Sequence, residues 1–285
     1  MRFESPTTVE DAVSLLVQEQ GKAYVLGGGT DLLVRLRSGF IEPDLVVDLK
    51  RIDAMKSITL EEGGLRVGAA VPSAELNEHD AAVGGWPGVC EAAGLIGSTQ
   101  VQGRATLAGN LCNASPAADS VPAMVAAGAV ARIVGPNGSR DAAVEDVVTG
   151  PGKTSLAKGE IVESILLPTH PPRTGEAYLR FIPRTEMDIA VVGVGVCLTL
   201  DDSGTCTAAR VGLGAVAATV LRVDAAAEAL IGTKVDDAAL AAMGDACSAA
   251  AAPINDKRGT IEFRVEVAGT LAKRTAKIAL ERAKG

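Results

Sequence analysis

The N-terminal part of the chain alternates between helical and strand-like hydrophobic patterns. Apolar residues recur at the i, i+3, i+4 spacing over residues 8–20, which predicts a helix. Short apolar runs just before residue 27 and over residues 44–49 are typical of buried strands, and a second helix-spaced run follows the glycines at residues 27–29. This alternation predicts a small parallel α/β unit over residues 1–56.

The middle of the chain favours antiparallel pairing. Two strand-like runs flank a turn at residues 61–64, which is a hairpin pattern. Apolar periodicity further predicts helices over residues 73–83, 86–93 and 119–127, strands over residues 129–134 and 160–167, and a hairpin turn at residues 136–139. Together these elements predict a larger mixed or antiparallel α+β unit over residues 57–170.

The C-terminal part places its strands before its helices. We expect strands over residues 177–182, 189–200 and 205–215, followed by helices over residues 219–231, 236–251 and 261–282. This order predicts a three-stranded antiparallel sheet with helices on one face, forming an α+β domain over residues 176–285. The proline-rich segment at residues 168–175 is expected to link it to the preceding unit. The fold class as a whole is therefore α+β.

Composition narrows the possible functions. The 285 residues carry a net charge of −8 without a cluster of basic residues, which argues against a nucleic-acid surface. We find neither an apolar run long enough to span a bilayer nor a signal pattern at the N-terminus, and so expect a cytoplasmic protein. Five cysteines lie far apart and only two histidines are present, so no metal site is expected in this chain.

Three consecutive glycines stand between the first predicted strand and a helix. Glycines tolerate positive φ and let backbone N–H groups approach a ligand, and a helix N-terminus carries a partial positive charge. Phosphate groups bind at such turns. Alternatively, Gly27, Gly28 and Gly29 form a tight turn in which Gly29 or Thr30 only caps the helix.

A Rossmann dinucleotide fingerprint is the first rival interpretation of this turn. Asp48 lies about twenty residues further on, where a ribose-binding carboxylate is expected. However, the third glycine of the pattern is replaced by Leu32, and the chain leaves the βαβ rhythm after the second strand. A P-loop is excluded because no Gly-Lys-Ser/Thr follows.

A second segment of small residues runs from Thr106 to Asn110, and we expect it to be a loop before a helix that begins at Asp119. Two such segments can hold a pyrophosphate from both sides, with Thr106, Asn110 and Ser115 donating side-chain hydrogen bonds. The alternative is a loop that only packs closely against a neighbouring element.

Three motifs in this order, LGGGTDLL, ATLAGNLCNASPAAD and PRTEMDIAVVGVG, closely resemble the FAD-binding medium subunit of the molybdenum hydroxylases. This family includes xanthine dehydrogenase and carbon monoxide dehydrogenase. The resemblance covers essentially the whole chain, because the C-terminal GTIEFRVEVAGTLAKRTAKIAL is similar to the family's last helix.

The resemblance implies which positions bind the cofactor. The FAD pyrophosphate is expected between two segments, whose matching residues here are Leu26, Gly27, Gly28, Gly29, Thr30, Asp31, Leu32 and Leu33 in the first and Thr106, Ala108, Gly109 and Asn110 in the second. Asp119 matches an aspartate that hydrogen-bonds the extended cofactor, although it is equally suited to cap the following helix.

Further positions are implied around the flavin. Arg180 stands where some members have a flavin-contacting lysine, and Val162 where a hydrophobic residue flanks the adenine or the ring; surface charge and strand core are their alternative roles. Ile96 replaces a residue that is aromatic in xanthine dehydrogenases. Arg184 and Asp188 lie in the third motif and are equally suited to form a surface ion pair.

The resemblance also implies a division of labour among subunits. Substrate is oxidised at molybdenum on a large molybdopterin subunit, and electrons pass through two [2Fe–2S] clusters of a small subunit to FAD and on to an external acceptor. The expected assembly is a dimer of heterotrimers, with no catalytic acid or base in this chain. One reductive branch carries a cysteine-containing insertion that is missing here, so no iron–sulfur cluster is expected in this chain.

Two other classes of function remain open. A flavoprotein that acts alone, of the vanillyl-alcohol oxidase type, usually needs a separate substrate domain with polar catalytic residues, for which this chain has little material. A scaffold subunit without cofactor is the other alternative, which a visible absorption spectrum would distinguish.

Overall fold

Three main sheets follow one another along the chain, and a computed structural model describes them over residues 1–185 and 187–285. The first is parallel, with strand order β1-β3-β2. Its elements are β1 (Arg2–Glu4), α1 (Val9–Gln18), β2 (Ala23–Leu26), α2 (Leu32–Arg37) and β3 (Leu45–Asp48), followed by 3₁₀ turns at Leu49–Arg51 and Asp53–Lys56. The parallel α/β prediction for this part is confirmed, and β1 is an additional strand that sequence periodicity missed.

The second sheet is antiparallel, with strand order β4-β5-β10-β6-β7. Its strands are β4 (Ile58–Glu61), β5 (Gly64–Gly68), β6 (Val130–Gly135), β7 (Gly138–Ala143) and β10 (Ile161–Pro168), while β8 (Val148–Gly150) and β9 (Lys153–Thr154) pair separately. Both predicted hairpins, β4–β5 and β6–β7, are confirmed.

Seven helices lie between or beside these strands. They are α3 (Ser73–Glu78), α4 (Asp80–Gly85), α5 (Pro87–Ala93), α6 (Thr99–Gln102), α7 (Leu107–Asn113), α8 (Ser120–Ala127) and α9 (Val144–Val147). The single helix predicted over residues 73–83 is wrong: His79 is extended, with φ −88° and ψ 109°, and divides it into α3 and α4.

The third sheet is antiparallel and has the order β11-β12-β13-β14. Its strands are β11 (Thr174–Phe181), β12 (Val192–Leu200), β13 (Cys206–Gly214) and β14 (Leu221–Arg222), and the helices after them are α10 (Asp224–Glu228), α11 (Asp237–Ala250) and α12 (Ile261–Lys284). The helix predicted over residues 219–231 is wrong at its start. Leu221 and Arg222 pair with β13 and extend the expected three-stranded sheet to four strands.

Helix α8 joins the second and third sheets, and all eight of its residues are buried. It packs so closely on β12 and β13 that a Cβ atom added to Gly195 or Gly212 would lie 2.5 or 2.3 Å from the Pro122 carbonyl oxygen. Glycine is therefore required at both positions, and the contact fixes the C-terminal sheet against the rest of the protein.

The helices differ from membrane spans in length or in apolarity. Within residues 1–185 and 187–285, none combines the two properties to the degree needed to cross a bilayer.

Candidate functional site

The glycine turn, residues 27–29, connects β2 to α2 and touches a distant part of the chain. An added Cβ on Gly28 would lie 1.8 Å from the Arg104 carbonyl oxygen, so the two backbones are in direct contact. Gly29 has φ +84°, a left-handed conformation that side chains with a Cβ rarely adopt. Both glycines are thus needed for the turn to lie against residues 104–106.

The segment facing the glycine turn is helical. Residues 106–110 were expected to form a loop, but Thr106 is the N-cap of α7 and its hydroxyl oxygen accepts a hydrogen bond from the Gly109 N–H at 2.9 Å. A capping hydroxyl satisfies one of the free donors at a helix start, which explains why these small residues fold as a helix. The glycine turn therefore faces the start of a capped helix.

An ion pair holds the glycine turn from the other side. Asp48 Oδ1 accepts hydrogen bonds from the Lys50 N–H at 3.1 Å and from Lys50 Nζ at 2.5 Å, and Nζ also donates to the Gly27 carbonyl oxygen at 3.2 Å. Asp48 is 9% exposed. Its carboxylate is thus occupied in supporting the turn, which agrees with rejecting a Rossmann-type ribose ligand at this position.

A cavity of about 360 Å³ opens between the glycine turn and α7. Most of the residues predicted from the sequence to bind the cofactor line it: Gly27, Gly28, Gly29, Thr30, Asp31, Leu32, Ile96, Thr106, Ala108, Gly109, Asn110 and Val162. Its volume lies within the range of about 300–1,000 Å³ that is usual for ligand pockets.

Other lining residues were not predicted. They are Tyr24, Val25, Arg35, Leu49, Ala69, Ala105, Cys112, Asn113, Gly152, Leu156, Glu160 and Ile161. Arg35 had a usable signal, since it stands three positions after Leu32 on a predicted helix and so shares its face. Residues 152–161 reach the cavity only through the folding of the second sheet, and local sequence patterns could not reveal them.

Five predicted residues do not line the cavity. Leu26 is a buried strand residue and Leu33 is 44% exposed on α2. The Ser115 hydroxyl oxygen accepts a hydrogen bond from the Ala117 N–H at 3.3 Å. Asp119 and Arg180 lie together in a separate buried cluster.

The buried cluster joins α8 to β11. Asp119 accepts hydrogen bonds from Tyr178 Oη at 3.0 Å and Arg180 Nη1 at 2.9 Å, and Arg180 also donates to the Leu95 carbonyl oxygen at 2.8 Å. Burial raises the pKa of the Asp119 carboxyl group to about 6, against the opposing effects of Arg180 and the Tyr178 hydrogen bond. The alternative that Arg180 is a surface charge is wrong, because only 5% of its side chain is exposed.

Asp119 occupies the N-cap position of α8, but its side chain does not cap the helix. The side chain of Asn110 caps α8 instead, because its Oδ1 accepts hydrogen bonds from the Ser120 N–H at 3.2 Å and from Ser120 Oγ at 2.7 Å. Since Asn110 also lines the cavity, the cavity wall is connected to the start of the buried helix.

An ion pair lies within the third motif. Arg184 and Asp188 form an ion pair, with Nε–Oδ2 and Nη2–Oδ1 distances of 3.0 and 2.9 Å, but the Asp188 side chain is only 1% exposed, so the pair is not entirely on the surface.

A second cluster lies at the linker. His170 Nε2 lies 3.0 Å from Glu176 Oε2, with Cys197 nearby. Burial raises the pKa of the Cys197 thiol, and the other Glu176 oxygen accepts the Gly88 N–H at 2.9 Å, so this cluster is a hydrogen-bonded support of the linker.

The chemistry of the lining suits binding more than proton transfer. Burial raises the pKa of the Cys112 thiol to about 12, so it stays protonated near neutral pH. Glu160 is held as a carboxylate by Arg140, whose side chain lowers the Glu160 pKa to about 2. One wall presents the glycine turn with Thr106 and Asn110, and another presents apolar groups such as Ile161 and Val162. A molecule with phosphates and flat apolar rings fits such a cavity.

Comparison of the sequence with known families gives matches along nearly the whole chain. The family described as FAD binding domain in molybdopterin dehydrogenase matches residues 1–170, and CO dehydrogenase flavoprotein C-terminal domain matches residues 177–279. The xanthine dehydrogenase FAD-binding subunit of Escherichia coli O157:H7 is 30% identical over 285 residues, covering 99% of this chain and 97% of that protein. The carbon monoxide dehydrogenase medium chain of Afipia carboxidovorans is 32% identical over 282 residues, with coverage of 99% and 97%.

Known structures show the same fold. A chain in the crystal structure of the cyanide-inactivated Cu,Mo-CO dehydrogenase superposes with a TM-score of 0.94 at 31% identity, covering 99% of this chain and 98% of that one. A chain of quinoline 2-oxidoreductase from Pseudomonas putida 86 gives a TM-score of 0.91 at 24% identity, over 100% of this chain and 98% of that one, a similarity of fold alone.

Proposed function

Because the chain belongs to the family of FAD-binding medium subunits of xanthine and carbon monoxide dehydrogenases, we propose that it transfers electrons within a multi-subunit molybdenum-containing dehydrogenase. The observation that carries this proposal is the cavity between the glycine turn and α7. In it the structure brings together most of the predicted cofactor-binding residues, although they come from separate parts of the sequence.

The cavity walls fit FAD by their chemistry. Close approach of a pyrophosphate requires backbone without side-chain bulk, which Gly28 and Gly29 supply. Thr106 and Asn110 lie in the same wall, whereas Ile96, Leu156 and Val162 offer apolar surface to flat rings. We assign the predicted residues that line the cavity to contacts with FAD.

The chain's own contribution is binding, orientation and electrostatic tuning. FAD, when bound, can take up and release electrons singly or in pairs. Cys112 stays a thiol and Glu160 is paired with Arg140, so the side chains of the lining hold the cofactor without an acid–base step on a substrate.

Partner subunits complete the proposed pathway. Similar proteins are described as an FAD-binding subunit or a medium chain, which supports a place in a larger complex. In our proposal, electrons arrive from the [2Fe–2S] clusters of a small subunit, which receives them from a large molybdopterin subunit, and leave to an external acceptor. The proposed assembly is a dimer of heterotrimers.

The visible absorption spectrum of the purified full-length chain tests the proposal. We expect the wild-type protein to be yellow and Gly28→Val to lose its flavin, because the side chain would push the Arg104 backbone away from the glycine turn. Gly84→Ala is the matched control, since its added Cβ meets no atom within 4 Å, and it should retain the flavin. A wild-type chain that remains colourless with added FAD, yet supports full activity of the complex, would contradict the proposal.

A further inference from the structure

Positive charge is scarce around the cavity. Among the lining residues in the described parts of the chain, Arg35 is the only one with a basic side chain, whereas Asp31 and Glu160 are acidic. Lys50 lies behind the glycine turn, but Asp48 neutralises it at 2.5 Å. A pyrophosphate carries negative charge that backbone amides alone compensate only in part, and Arg35 is the basic side chain among these lining residues that can balance it.

Helix geometry directs Arg35 toward the glycine turn. Side chains in an α-helix lean toward its N-terminus and cover the preceding turn. Arg35 stands one turn after Leu32, which also lines the cavity, and its backbone N–H donates to the Asp31 carbonyl oxygen at 3.0 Å. Arg35 therefore lies on the same side of α2 as Leu32, the side that borders the cavity.

Arg35 is free to bind an anion. Across residues 1–185 and 187–285, no carboxylate forms an ion pair with it, in contrast to Lys50 and Arg140, which both contact acids. An unneutralised guanidinium that borders a cavity offers several N–H donors in a planar fork, a geometry suited to phosphate oxygens.

Phe40 holds this guanidinium in place. The Arg35 Cζ atom lies 5.5 Å from the centre of the Phe40 ring, a cation–π distance. Phe40 is 76% exposed, more than Phe3 at 54% or Phe263 at 41%, and its N–H donates to the Arg35 carbonyl oxygen at 2.9 Å. Burial of the ring does not explain why a phenylalanine stands here, whereas contact with the Arg35 guanidinium does.

We propose that Arg35 is the counter-ion of the FAD pyrophosphate and that Phe40 is the platform that positions it. The inference rests on the proposed function, because it presumes that FAD occupies the cavity. It adds a charged contact and a positioning residue to a site whose other predicted contacts come from the glycine turn, small polar residues and apolar side chains.

The test is titration of the flavin-free full-length chain with FAD at low and high salt, followed by the change in flavin fluorescence. Charge-assisted hydrogen bonds lead us to expect roughly 10- to 100-fold weaker binding for Arg35→Gln at low salt. The loss should shrink at high salt because screening weakens the wild-type contact. Arg35→Lys, which keeps the charge, should recover part of the affinity.

Matched variants separate this effect from general damage to α2. Arg37→Gln removes a basic side chain from the same helix outside the cavity lining and should bind FAD within about 2-fold of wild type. Phe40→Leu should weaken binding roughly 2- to 5-fold through the lost cation–π contact. It should have no further effect in the Arg35→Gln background, because the two residues act together.

The measured affinities distinguish failure of the inference from failure of the proposed function. Arg35→Gln binding within about 2-fold of wild type at low salt would overturn the inference while the proposed function stands. Equal losses in Arg35→Gln and Arg37→Gln, or a loss in Arg35→Gln with unchanged salt dependence, would also overturn it. A wild-type chain that binds no FAD under any condition would overturn the proposed function, and the inference with it.

Discussion

Two short helices rich in apolar residues, α2 beside the cavity and α8 in the interior, have opposite surroundings. All residues of α8 are buried between the second and third sheets, whereas α2, although rich in Leu and Val, has no buried residue. Val34 is 64% exposed, and Met124 on α8 is completely buried. Hydrophobic composition alone therefore does not show which helix is buried in the core and which is exposed.

The difference is one of coverage. Helix α8 meets glycines on β12 and β13, which let the sheet approach its backbone, and its start is tied to Asn110 and the Asp119 cluster. Helix α2 uses its Leu32 and Arg35 side for the cavity and leaves the side bearing Leu33 and Val34 to solvent. One helix contributes stability, and the other contributes a binding surface.

The largest effect is expected where α8 meets the C-terminal sheet. Gly212→Ala places a Cβ 2.3 Å from the Pro122 carbonyl oxygen, so β13 or α8 must shift, and we expect the free energy of unfolding to fall by about 3 kcal/mol or more. Urea denaturation followed by circular dichroism measures this. Gly63→Ala, whose Cβ meets nothing within 4 Å, is the control; equal stability of the two variants would show that α8 is not tightly held.

A second effect depends on pH through Asp119. Its pKa is raised from 3.8 to about 6 by burial, so the folded state binds this proton more tightly than the unfolded state does. Stability from this group is thus fully present below about pH 4 and is lost as pH rises through about 6, by about 2 to 3 kcal/mol in total.

Asp119→Asn isolates that titration from all other groups. We expect the free energy of unfolding of wild type, relative to Asp119→Asn, to decrease between about pH 4 and about pH 7, as measured by urea denaturation at each pH. If the difference between the two proteins does not change over this pH range, the Arg180 guanidinium at least offsets burial and the carboxylate stays ionised.

The smallest effect is expected on the open face of α2. Val34→Ser removes an apolar group that is mostly in solvent already, so the free energy of unfolding should change by no more than about 0.5 kcal/mol. FAD affinity should also stay the same, because Val34 does not line the cavity. A loss of several kcal/mol on urea denaturation would mean that this face is covered in solution and would remove the contrast with α8.

Local chemistry explains what could be predicted from the sequence. The glycine turn, the hairpins and the long helices α11 and α12 follow from glycine conformation, turn residues and apolar spacing, all of which act over a few residues. The same applies to Thr106, whose capping chemistry is visible in sequence even though the helix that it starts was expected to be a loop.

Tertiary pairing explains what could not. Leu221 and Arg222 lie in a predicted helix but form a strand, because they pair with the free edge of β13. Nothing near Leu156 or Ile161 indicates that they reach the glycine turn. The link from Asp119 to Tyr178 and Arg180 had one unused signal: residues two apart on a strand share a face, and so both could meet the same carboxylate.

The close contact between α8 and the C-terminal sheet also bears on how the chain is synthesised. A ribosome releases residues 120–127 well before Gly195 and Gly212, so for part of translation a helix that is apolar on every side has no sheet to cover it. Exposed surfaces of this kind cause nascent chains to aggregate or to recruit chaperones. The C-terminal sheet thus shields α8 from solvent. We expect a chain truncated before β12 to expose α8 and to aggregate more readily than the full-length protein.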